Sequence, residues 1–440
     1  MPCIETSPPK LDLHGFPRAI VHFDGDAFFT SVEQALHPEL KGRAVVTGKE
    51  RGIIACASYE AKALGIRRGV ALWEARKRCP GLVVLPSDYE TYSLFSQRMF
   101  AIARRFSPTV EEHSIDEGFA DLTGLRRVHR ASYEEIARRL QAAIREELDL
   151  TVSMGLGLSK SLAKLASKFR KPRGFTAVAE RHIPLFLQHR ALADVWGFGP
   201  HSVALLQHFG LRTPWDYVRQ PEAWAERRLG KVGREIWNEL RGDAIYRVSP
   251  EAKAVYATVS KVKTFPASSS DREFIYAKLL RNAESACIKL RRHGLRARYV
   301  GAALRRQDYG ERSMGARLSV ATASVHALRP ALHTIFEALY ESDAAYRATG
   351  VWLGEIELDS WRQGDLFEDR PHIEKLENIG RAMDAVNRRY GKHHVALGTA
   401  LFLPRHRHTE RDEVPERKRI RLPGENDRRR LAFPLLAIRV

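Results

Sequence analysis

Two pairs of acidic residues are the strongest candidates for chemistry in this sequence. Asp24 and Asp26 flank Gly25 in VHFDGDAFF, and Asp116 and Glu117 are adjacent in HSIDEGFADLTG. The second pair has apolar neighbours, so at least one of its carboxylates is expected to point inward and to need a cation. A single one of these acids is better explained as a helix cap or turn residue, but two pairs on separate strands favour a site for Mg²⁺ ions.

The charge of the chain indicates what such a site acts on. The 440 residues include 72 Lys and Arg against 53 Asp and Glu, a net charge of +19. This excess favours a polyanionic partner such as nucleic acid, which makes phosphoryl or nucleotidyl transfer the leading chemistry. The length predicts two to four domains.

Other classes of protein are not indicated. The four cysteines form neither a C-x-x-C pair nor a Cys/His cluster at zinc spacing. The sequence has no apolar run long enough to span a bilayer, and its first residues lack the apolar core of a signal peptide. We therefore expect a cytoplasmic protein without a membrane partner.

The elements that position the acids follow from hydrophobic periodicity. Residues 17–23 predict a buried strand that leads into an amphipathic helix ending near residues 37–38, so the first acids lie where strand turns into helix. A helix is predicted over residues 89–106, followed by two strands that meet in a tight turn at the second acidic pair. A further helix, a strand and a basic helix follow, then short helices beyond residue 180. Strands and helices alternate again over residues 255–403.

Several motifs occur together in one order: FDGDAFFTSVE, ASYEAKALGIRRG, HSIDEGFADLTG, SKSLAKLASKFRKPRG and WGFGPHSVALLQHFG. In these the chain resembles the Y-family translesion DNA polymerases of the DNA polymerase IV type, from about residue 17 to residue 403. The resemblance implies an α/β (α+β) right-hand polymerase with palm, small fingers, helical thumb and αβ little finger. It divides the chain into an N-terminal extension (1–16), palm (17–36 and 90–182), fingers (37–89), thumb (183–250), little finger (255–404) and a basic tail (405–440).

The resemblance assigns the acidic residues to a site for two Mg²⁺ ions. Asp24 and Asp116 match the carboxylates that bridge both ions, and Glu117 matches the one that helps hold the ion beside the primer 3′-hydroxyl. Gly25 matches the residue whose backbone carbonyl binds the nucleotide-side ion, although the family usually has a bulkier apolar residue there. Asp26 either supports the site or caps the helix expected to begin at Ala27.

Two phenylalanines match the pocket for the incoming sugar. Phe29 corresponds to the steric gate, a flat ring that excludes a ribose 2′-hydroxyl and so implies dNTP substrates; the alternative is a core residue on a helix face. Phe28 is expected in the core, and the backbone N–H groups of both residues are candidates for the triphosphate.

Further positions match the family's nucleotide contacts. Tyr59 and Lys62 lie three residues apart on one helix face, toward the β- and γ-phosphates, although most members have arginine where this chain has Lys62. Lys171 matches the lysine that reaches the triphosphate from the palm. Ala55 lies near the nascent base pair by resemblance, and Cys56 either near the triphosphate or, as the preferred interpretation, as an ordinary buried cysteine.

The remaining features concern DNA and a protein partner. Lys160, Lys164 and Lys168 recur every four residues and predict a cationic stripe that faces DNA or, as the default for any one lysine, solvent. Gly197 and Gly199 resemble the hairpin of a helix-hairpin-helix that donates N–H groups to a DNA phosphate. The segment RQGDLFEDR resembles a sliding-clamp-binding peptide, with Gln363, Leu366 and Phe367 as anchors.

The resemblance implies a monomeric DNA polymerase that copies damaged primer-template DNA with low fidelity and without proofreading. A catalytically silent DNA-binding relative recruited by the clamp stays open, although the complete carboxylate set argues against it. A metal-dependent nuclease has the same acidic chemistry but gives no reason for the steric gate or for Tyr59.

Overall fold

The computed structural model describes residues 15–250, 256–359, 370–390, 395, 397–400 and 403. They belong to two compact units, and the division falls between residues 250 and 256. In the described part of the chain, no helix combines the length and the apolar character that are needed to cross a membrane.

The first unit contains eight strands and eleven α-helices among the described residues. The strands are β1 Ile20–Gly25, β2 Val45–Thr47, β3 Cys56–Ala57, β4 Val83–Leu85, β5 Val110–Glu112, β6 Glu117–Asp121, β7 Val152–Gly157 and β8 Phe175–Ala177. The helices are α1 Phe28–Leu36, α2 Tyr59–Ala63, α3 Leu72–Arg78, α4 Tyr89–Phe106, α5 Arg126–His129, α6 Tyr133–Leu148, α7 Lys160–Phe169, α8 Ile183–Gln188, α9 Pro200–His208, α10 Pro214–Val218 and α11 Glu222–Arg241.

A five-stranded sheet in the order β5-β6-β1-β7-β8 forms the centre of this unit. The apolar residues of β1 are buried, because the strand pairs antiparallel with β6 on one side and with β7 on the other. Met154 and Leu156 of β7 share a core with α4 and α6. Gly155, between these two residues, and Gly157, after them, lie under α7. A Cβ atom on Gly155 would be 2.1 Å from the carbonyl oxygen of Ala163. Glycine at this position therefore lets α7 lie directly on the sheet.

The predicted strand over residues 17–23 begins and ends later than the periodicity indicated. Backbone pairing continues past Phe23, since the N–H of Gly25 donates to the carbonyl of Asp116 at 2.7 Å and that of Asp26 to the carbonyl of Thr151 at 2.9 Å. Asp24 and Gly25 thus belong to β1 itself. The next helix begins at Phe28, one residue later than expected, because Ala27 has a left-handed backbone with a φ of 48°.

Two smaller parts complete the first unit. Strands β2 to β4 form a three-stranded sheet in the order β3-β2-β4, which packs with α2 and α3 around a small core of its own. Helices α8 to α11 contribute to a core that also includes residues of α7. The predicted long helix over residues 89–106 and the two strands on either side of the second acidic pair are confirmed.

The second unit is a four-stranded antiparallel sheet with helices packed against it. It contains β9 Thr258–Ser269, α12 Arg272–Arg292, β10 Leu295–Arg306, β11 Glu311–Thr322, α13 Val325–Leu339, β12 Tyr346–Leu358 and α14 Arg370–Tyr390. The strand order is β11-β10-β12-β9, and α12 and α13 share an apolar core with the sheet. The alternation of strands and helices predicted for residues 255–403 is confirmed in its described part.

Candidate active site

The three predicted metal-binding carboxylates belong to neighbouring backbone positions at one end of β1 and β6. Asp24 lies directly opposite Glu117 in the antiparallel register. Asp116 comes next, with its carbonyl bonded to the N–H of Gly25. Burial raises the pKa of the Asp24 carboxyl above its usual value, the nearby charges of Glu117 and Asp116 act in the same direction, and Lys171 opposes them. The arrangement concentrates negative charge and so favours a cation.

Two lysines provide positive charge at these carboxylates. The Nζ atom of Lys171 is 2.5 Å from Oδ1 of Asp24, and that of Lys164 is 2.8 Å from both carboxylate oxygens of Glu117. Within the described residues, no three His, Cys, Asp or Glu side chains are grouped closely enough to hold one metal ion together. The two lysine contacts explain why these carboxylates are not gathered around one point, since each carboxylate is held by an ammonium group instead.

The predicted cationic stripe on α7 is wrong for two of its three lysines. Lys160 and Lys164 are only 5% and 8% exposed, so they face neither solvent nor an open surface. Lys160 donates to both carboxylate oxygens of Glu111 at 2.6 and 2.7 Å, as Lys164 does to Glu117. Both lysines reach acids of β5 and β6 because α7 packs so closely on the sheet. Lys168, farther along the helix, is exposed and donates to the carbonyl of Asp194.

A histidine that the sequence interpretation did not consider completes the contacts of Glu117. His22 of β1 is fully buried, with Nε2 at 3.1 Å from Oε2 of Glu117 and Nδ1 at 2.7 Å from the hydroxyl of Ser167. Burial lowers the pKa of His22 to about 4, so the ring is neutral near pH 7. Because a carboxylate only accepts, Nε2 carries the proton, and Nδ1 has as its partner the hydroxyl of Ser167, which also lies 2.9 Å from the carbonyl of Lys164. A polar residue between the apolar neighbours Val21 and Phe23 was the available signal.

These contacts keep Glu117 ionised. Burial alone would raise its pKa, but the hydrogen bonds from His22 and Lys164 and the charge of Lys164 lower the pKa to about 2. Glu117 therefore remains an anion throughout the physiological pH range, as an oxygen ligand for a metal ion needs to be.

Asp26 is a buried carboxylate that holds the segments next to Asp24 together, and the alternative of a helix cap is wrong. The helix α1 has no side-chain cap, and Asp26 is 1% exposed. Its carboxylate accepts from the hydroxyl of Ser153 at 2.7 Å, the backbone N–H of Arg173 at 2.8 Å and the hydroxyl of Tyr59 at 3.3 Å. One carboxylate thus joins β7, the loop after Lys171 and the start of α2.

The residue types fit hard divalent cations. Carboxylate oxygens and a backbone carbonyl are the donors that Mg²⁺ prefers, and the charge crowded around Asp24 is the kind that such an ion relieves. Gly25 fits its tight surroundings, since a Cβ atom there would be 2.8 Å from the ring of Phe28. Asp24, Asp116 and Glu117 are therefore candidates for holding a divalent cation.

The two phenylalanines differ in exposure, as expected. Phe28 is 2% exposed and belongs to the core, whereas Phe29 is half-buried. The ring of Phe29 stacks on Tyr92, with centroids 4.5 Å apart and planes within 13°, and Tyr89 meets it edge-on at 5.3 Å. The hydroxyl of Tyr92 donates to Glu33 at 2.7 Å, which fixes this aromatic support. The sequence interpretation missed both tyrosines.

The other nucleotide-pocket candidates lie on β3 and α2 or just before them. Lys62 has its Nζ atom 4.1 Å from the ring centroid of Tyr59, so the predicted shared helix face is confirmed. Burial raises the pKa of Tyr59, and the charge of Asp26 adds to this shift. Cys56 is a half-buried free thiol, so the preferred interpretation of a buried cysteine is wrong; Ala55 is half-buried as well.

The candidate DNA hairpin precedes α9. Gly197 has a left-handed backbone with a φ of 98°, which favours glycine, and Gly199 lies immediately before the first residue of α9. A Cβ atom on Gly199 would meet nothing within 4 Å, so this helix start is open to close approach. The clamp-peptide residues Gln363, Leu366 and Phe367 lie outside the described residues.

Comparisons with known proteins identify the family of the chain. Residues 23–168 match the impB/mucB/samB family, and residues 257–366 match the C-terminal domain of that family. DNA polymerase IV of Moorella thermoacetica is 33% identical over 388 residues, covering 87% of this chain and 96% of its own. DNA polymerase IV 1 of Bacillus subtilis is 32% identical, covering 88% and 94%.

Solved structures show the same fold. A Y-family DNA polymerase chimera of Dbh and Dpo4 superimposes with a TM-score of 0.67 at 22% identity, covering 77% of this chain and 99% of that one. The insertion ternary complex of Dbh DNA polymerase gives a TM-score of 0.52 with the same identity and coverage. The architecture is therefore that of a right-hand polymerase with palm, small fingers, thumb and little finger.

The chain belongs to the Y family of DNA polymerases, within which it is of the DNA polymerase IV type. It is accordingly a DNA-directed DNA polymerase of translesion synthesis, and its relatives do not favour a catalytically silent protein. Members of this family generally need divalent metal ions.

The buried lysine contact predicts a stability difference along α7. Replacing Lys164 by methionine removes the ammonium group from Glu117 and leaves that carboxylate partly buried, so we expect the free energy of unfolding to fall by about 2 kcal/mol. Urea unfolding at pH 7 without divalent ions measures this loss. The control Lys168→Met, on the same helix but exposed, is expected to change stability by less than about 0.5 kcal/mol. Equal losses in the two variants would contradict the inward role of Lys164.

Proposed function

We propose that this polymerase extends a DNA primer by nucleotidyl transfer from dNTPs, using two Mg²⁺ ions held by Asp24, Asp116 and Glu117. The observation that carries the proposal is the register of β1 and β6, which sets Asp24 opposite Glu117 beside Asp116. When bound, the ions activate the primer hydroxyl and stabilise the charge that develops on the leaving group. The carbonyl of Gly25 is the proposed main-chain ligand.

The chain's own residues prepare this chemistry. His22 and Lys164 hold the Glu117 carboxylate in one orientation and keep it ionised. The ammonium group of Lys171 is paired with Asp24, and we propose that it moves from there to the triphosphate of the bound dNTP. Asp26 holds the backbone after Lys171 in place through the N–H of Arg173. Positioning of this kind lowers the barrier by removing the need for reorganisation during the reaction.

The proposed nucleotide pocket combines contacts to phosphate and to sugar. Tyr59, Lys62 and the backbone N–H groups of Phe28 and Phe29 are the candidates for the phosphates, together with the half-exposed Cys56. Ala55 faces the nascent base pair in this proposal. Its small side chain, just before β3 of the small three-stranded sheet, supports a pocket that tolerates damaged bases, and therefore low fidelity.

Phe29 is the proposed gate against ribonucleotides. Its ring cannot yield easily, because Tyr92 stacks on one face and Tyr89 meets it edge-on. A ribose 2′-hydroxyl placed against this ring would clash, whereas a deoxyribose would not, so the selectivity arises from exclusion.

DNA binding is proposed for the hairpin at Gly197 and Gly199 and for the basic little finger. A structural relative was captured as an insertion ternary complex, which supports primer-template DNA and dNTP as partners here.

We propose the palm as residues 17–36 and 90–182, the fingers as 37–89 and the thumb as 183–250. The two sheets and the helical part of the first unit support these ranges. The little finger is proposed as residues 255–404, and the whole chain as a cytoplasmic monomer without proofreading.

Replacement of Asp116 by alanine tests the metal assignment. We expect Asp116→Ala to remove detectable primer extension while affinity for primed DNA is retained, because the site loses a proposed ligand but the DNA surfaces stay intact. Gel-resolved extension and fluorescence anisotropy measure the two properties. The control Glu112→Ala changes an exposed acid in the preceding strand and should extend normally. Extension by Asp116→Ala at the wild-type rate would rule out the proposed role.

Replacement of Phe29 by alanine tests the gate. We expect the ratio of kcat/KM for dNTP to that for the matching rNTP to fall about tenfold or more, because the ring that excludes the 2′-hydroxyl is gone. Single-nucleotide insertion kinetics give both constants for one enzyme preparation, so a general loss of activity cancels in the ratio. An unchanged ratio would remove Phe29 as the gate.

The clamp peptide is proposed from its residues alone. Changing Leu366 and Phe367 together to alanine should abolish the stimulation of synthesis by a sliding clamp and leave basal extension unchanged. The matched control replaces the neighbouring Glu368 and Asp369 by alanine and should keep the stimulation. Full stimulation of the Leu366/Phe367 variant would show that the clamp binds elsewhere.

A further inference from the structure

The fingers carry an aromatic side chain that is mostly in solvent. Trp73, in the first turn of α3, is 64% exposed. Its neighbours Leu72 and Ala75 are buried and fix the helix on the small core of the fingers. The indole therefore lies on the outer face of a rigidly packed helix, where it contributes little to that core.

Exposed basic residues are concentrated close to this indole in the sequence. Arg76 and Lys77, which follow Trp73 by three and four residues on the helix, are exposed, and Nζ of Lys77 is 5.1 Å from the centroid of the indole. Arg67 and Arg68, shortly before the helix, are exposed as well. Residues 67–78 contain five basic side chains and one acidic one, Glu74, whose carboxylate is paired with Arg78. The partner that complements such a surface is an anion with flat faces.

Backbone bonds connect Trp73 to the proposed nucleotide pocket. Ile53 forms a β-bridge with Ala71, and the N–H of Ile54 donates to the carbonyl of Val70 at 2.9 Å. Ala55, proposed to face the nascent base pair, follows directly in the chain. Trp73 thus comes two residues after a segment that is hydrogen-bonded to residues 53 and 54, directly before Ala55. Ile53, the partner of Ala71, is 44% exposed.

We propose that Trp73 is a stacking platform for an unpaired template base ahead of the templating position, with the surrounding Arg and Lys side chains at its phosphates. Inside a duplex each base face is covered by its neighbours, whereas an unpaired template base offers a free face on which an exposed indole can stack. Single-stranded DNA is bound by this combination of aromatic ring and cations, without sequence preference. The inference rests on the proposed function, because the template beyond the primer end is the single strand that the reaction keeps beside the fingers.

The experiment compares two primer-templates with the same duplex and with template overhangs of one or eight nucleotides. Fluorescence anisotropy at one fixed salt concentration gives the dissociation constant of each. We expect the full-length protein to bind the long overhang more tightly than the short one. In Trp73→Ala the dissociation constant for the long overhang should rise about tenfold, while that for the short overhang stays the same. Trp73→Phe, which keeps a ring, should retain most of the gain.

A control variant and a second readout separate the possible outcomes. Val128→Ala changes a residue that is 74% exposed on α5, and should keep the wild-type dependence on overhang length. The inference is overturned if the wild type gains nothing from the longer overhang, if Trp73→Ala keeps the gain, or if that variant weakens binding of both substrates equally. Single-nucleotide extension on the short overhang tests the proposed polymerase activity separately, because that template offers no base ahead of the templating one.

Discussion

The close packing of helix α7 on the palm sheet is the constraint on which the site depends. The absence of a side chain at Gly155 lets the helix backbone approach β7 directly. At that distance Lys160 and Lys164 reach acids on the strands beyond β7, and Ser167 reaches His22. A larger residue at position 155 would move the helix outward and separate these ion pairs. The electrostatics of the site are thus set by a contact that involves no charged group.

Burial and charge compensation work against each other in this network. Removing Glu117 and Asp24 from water raises the cost of their charges, and the neighbouring acids add to that cost. Lys164, Lys171 and the neutral His22 offset it with hydrogen bonds that satisfy the carboxylate oxygens. The two acids nevertheless differ, because the pKa of Glu117 is held low whereas that of Asp24 is raised. The raised pKa means that the negative charge of Asp24 is not fully compensated, so an additional cation there would be stabilising.

Much of the architecture could be predicted from the sequence, because the strand and helix periodicities are strong and the motifs occur in a recognisable order. The two acidic pairs were correctly predicted to lie at strand ends, although Asp24 belongs to β1 itself and Glu117 is the first residue of β6. The direction of a helix face was not predictable, since lysines four residues apart look the same whether they point to solvent or to buried acids. The glycines on β7 decide which way this helix face points, because they let α7 pack directly on the sheet. That packing is a property of the three-dimensional contact and is not visible in the spacing of the lysines.

Contacts over long sequence distances were not predictable either. The sequence left Asp26 open between a helix cap and a supporting role, and its distant partners Tyr59, Ser153 and Arg173 distinguish the two. His22 and Tyr92 were missed for the same reason, since their roles depend on partners 95 and 59 residues away in sequence. The clamp peptide stays a prediction, because its residues lie outside the described part of the chain.

The contact between Lys171 and Asp24 has a thermodynamic consequence. Because one Asp24 oxygen binds the ammonium group of Lys171, an ion held at Asp24 as proposed would compete with that ammonium group, and a displaced Lys171 would be free to pair with another anion. Binding of the ion and binding of a triphosphate would then be linked, each increasing the affinity for the other, by up to the free energy of the broken ion pair. Such linkage would let the protein distinguish a nucleotide that arrives with its metal ion from either ligand alone.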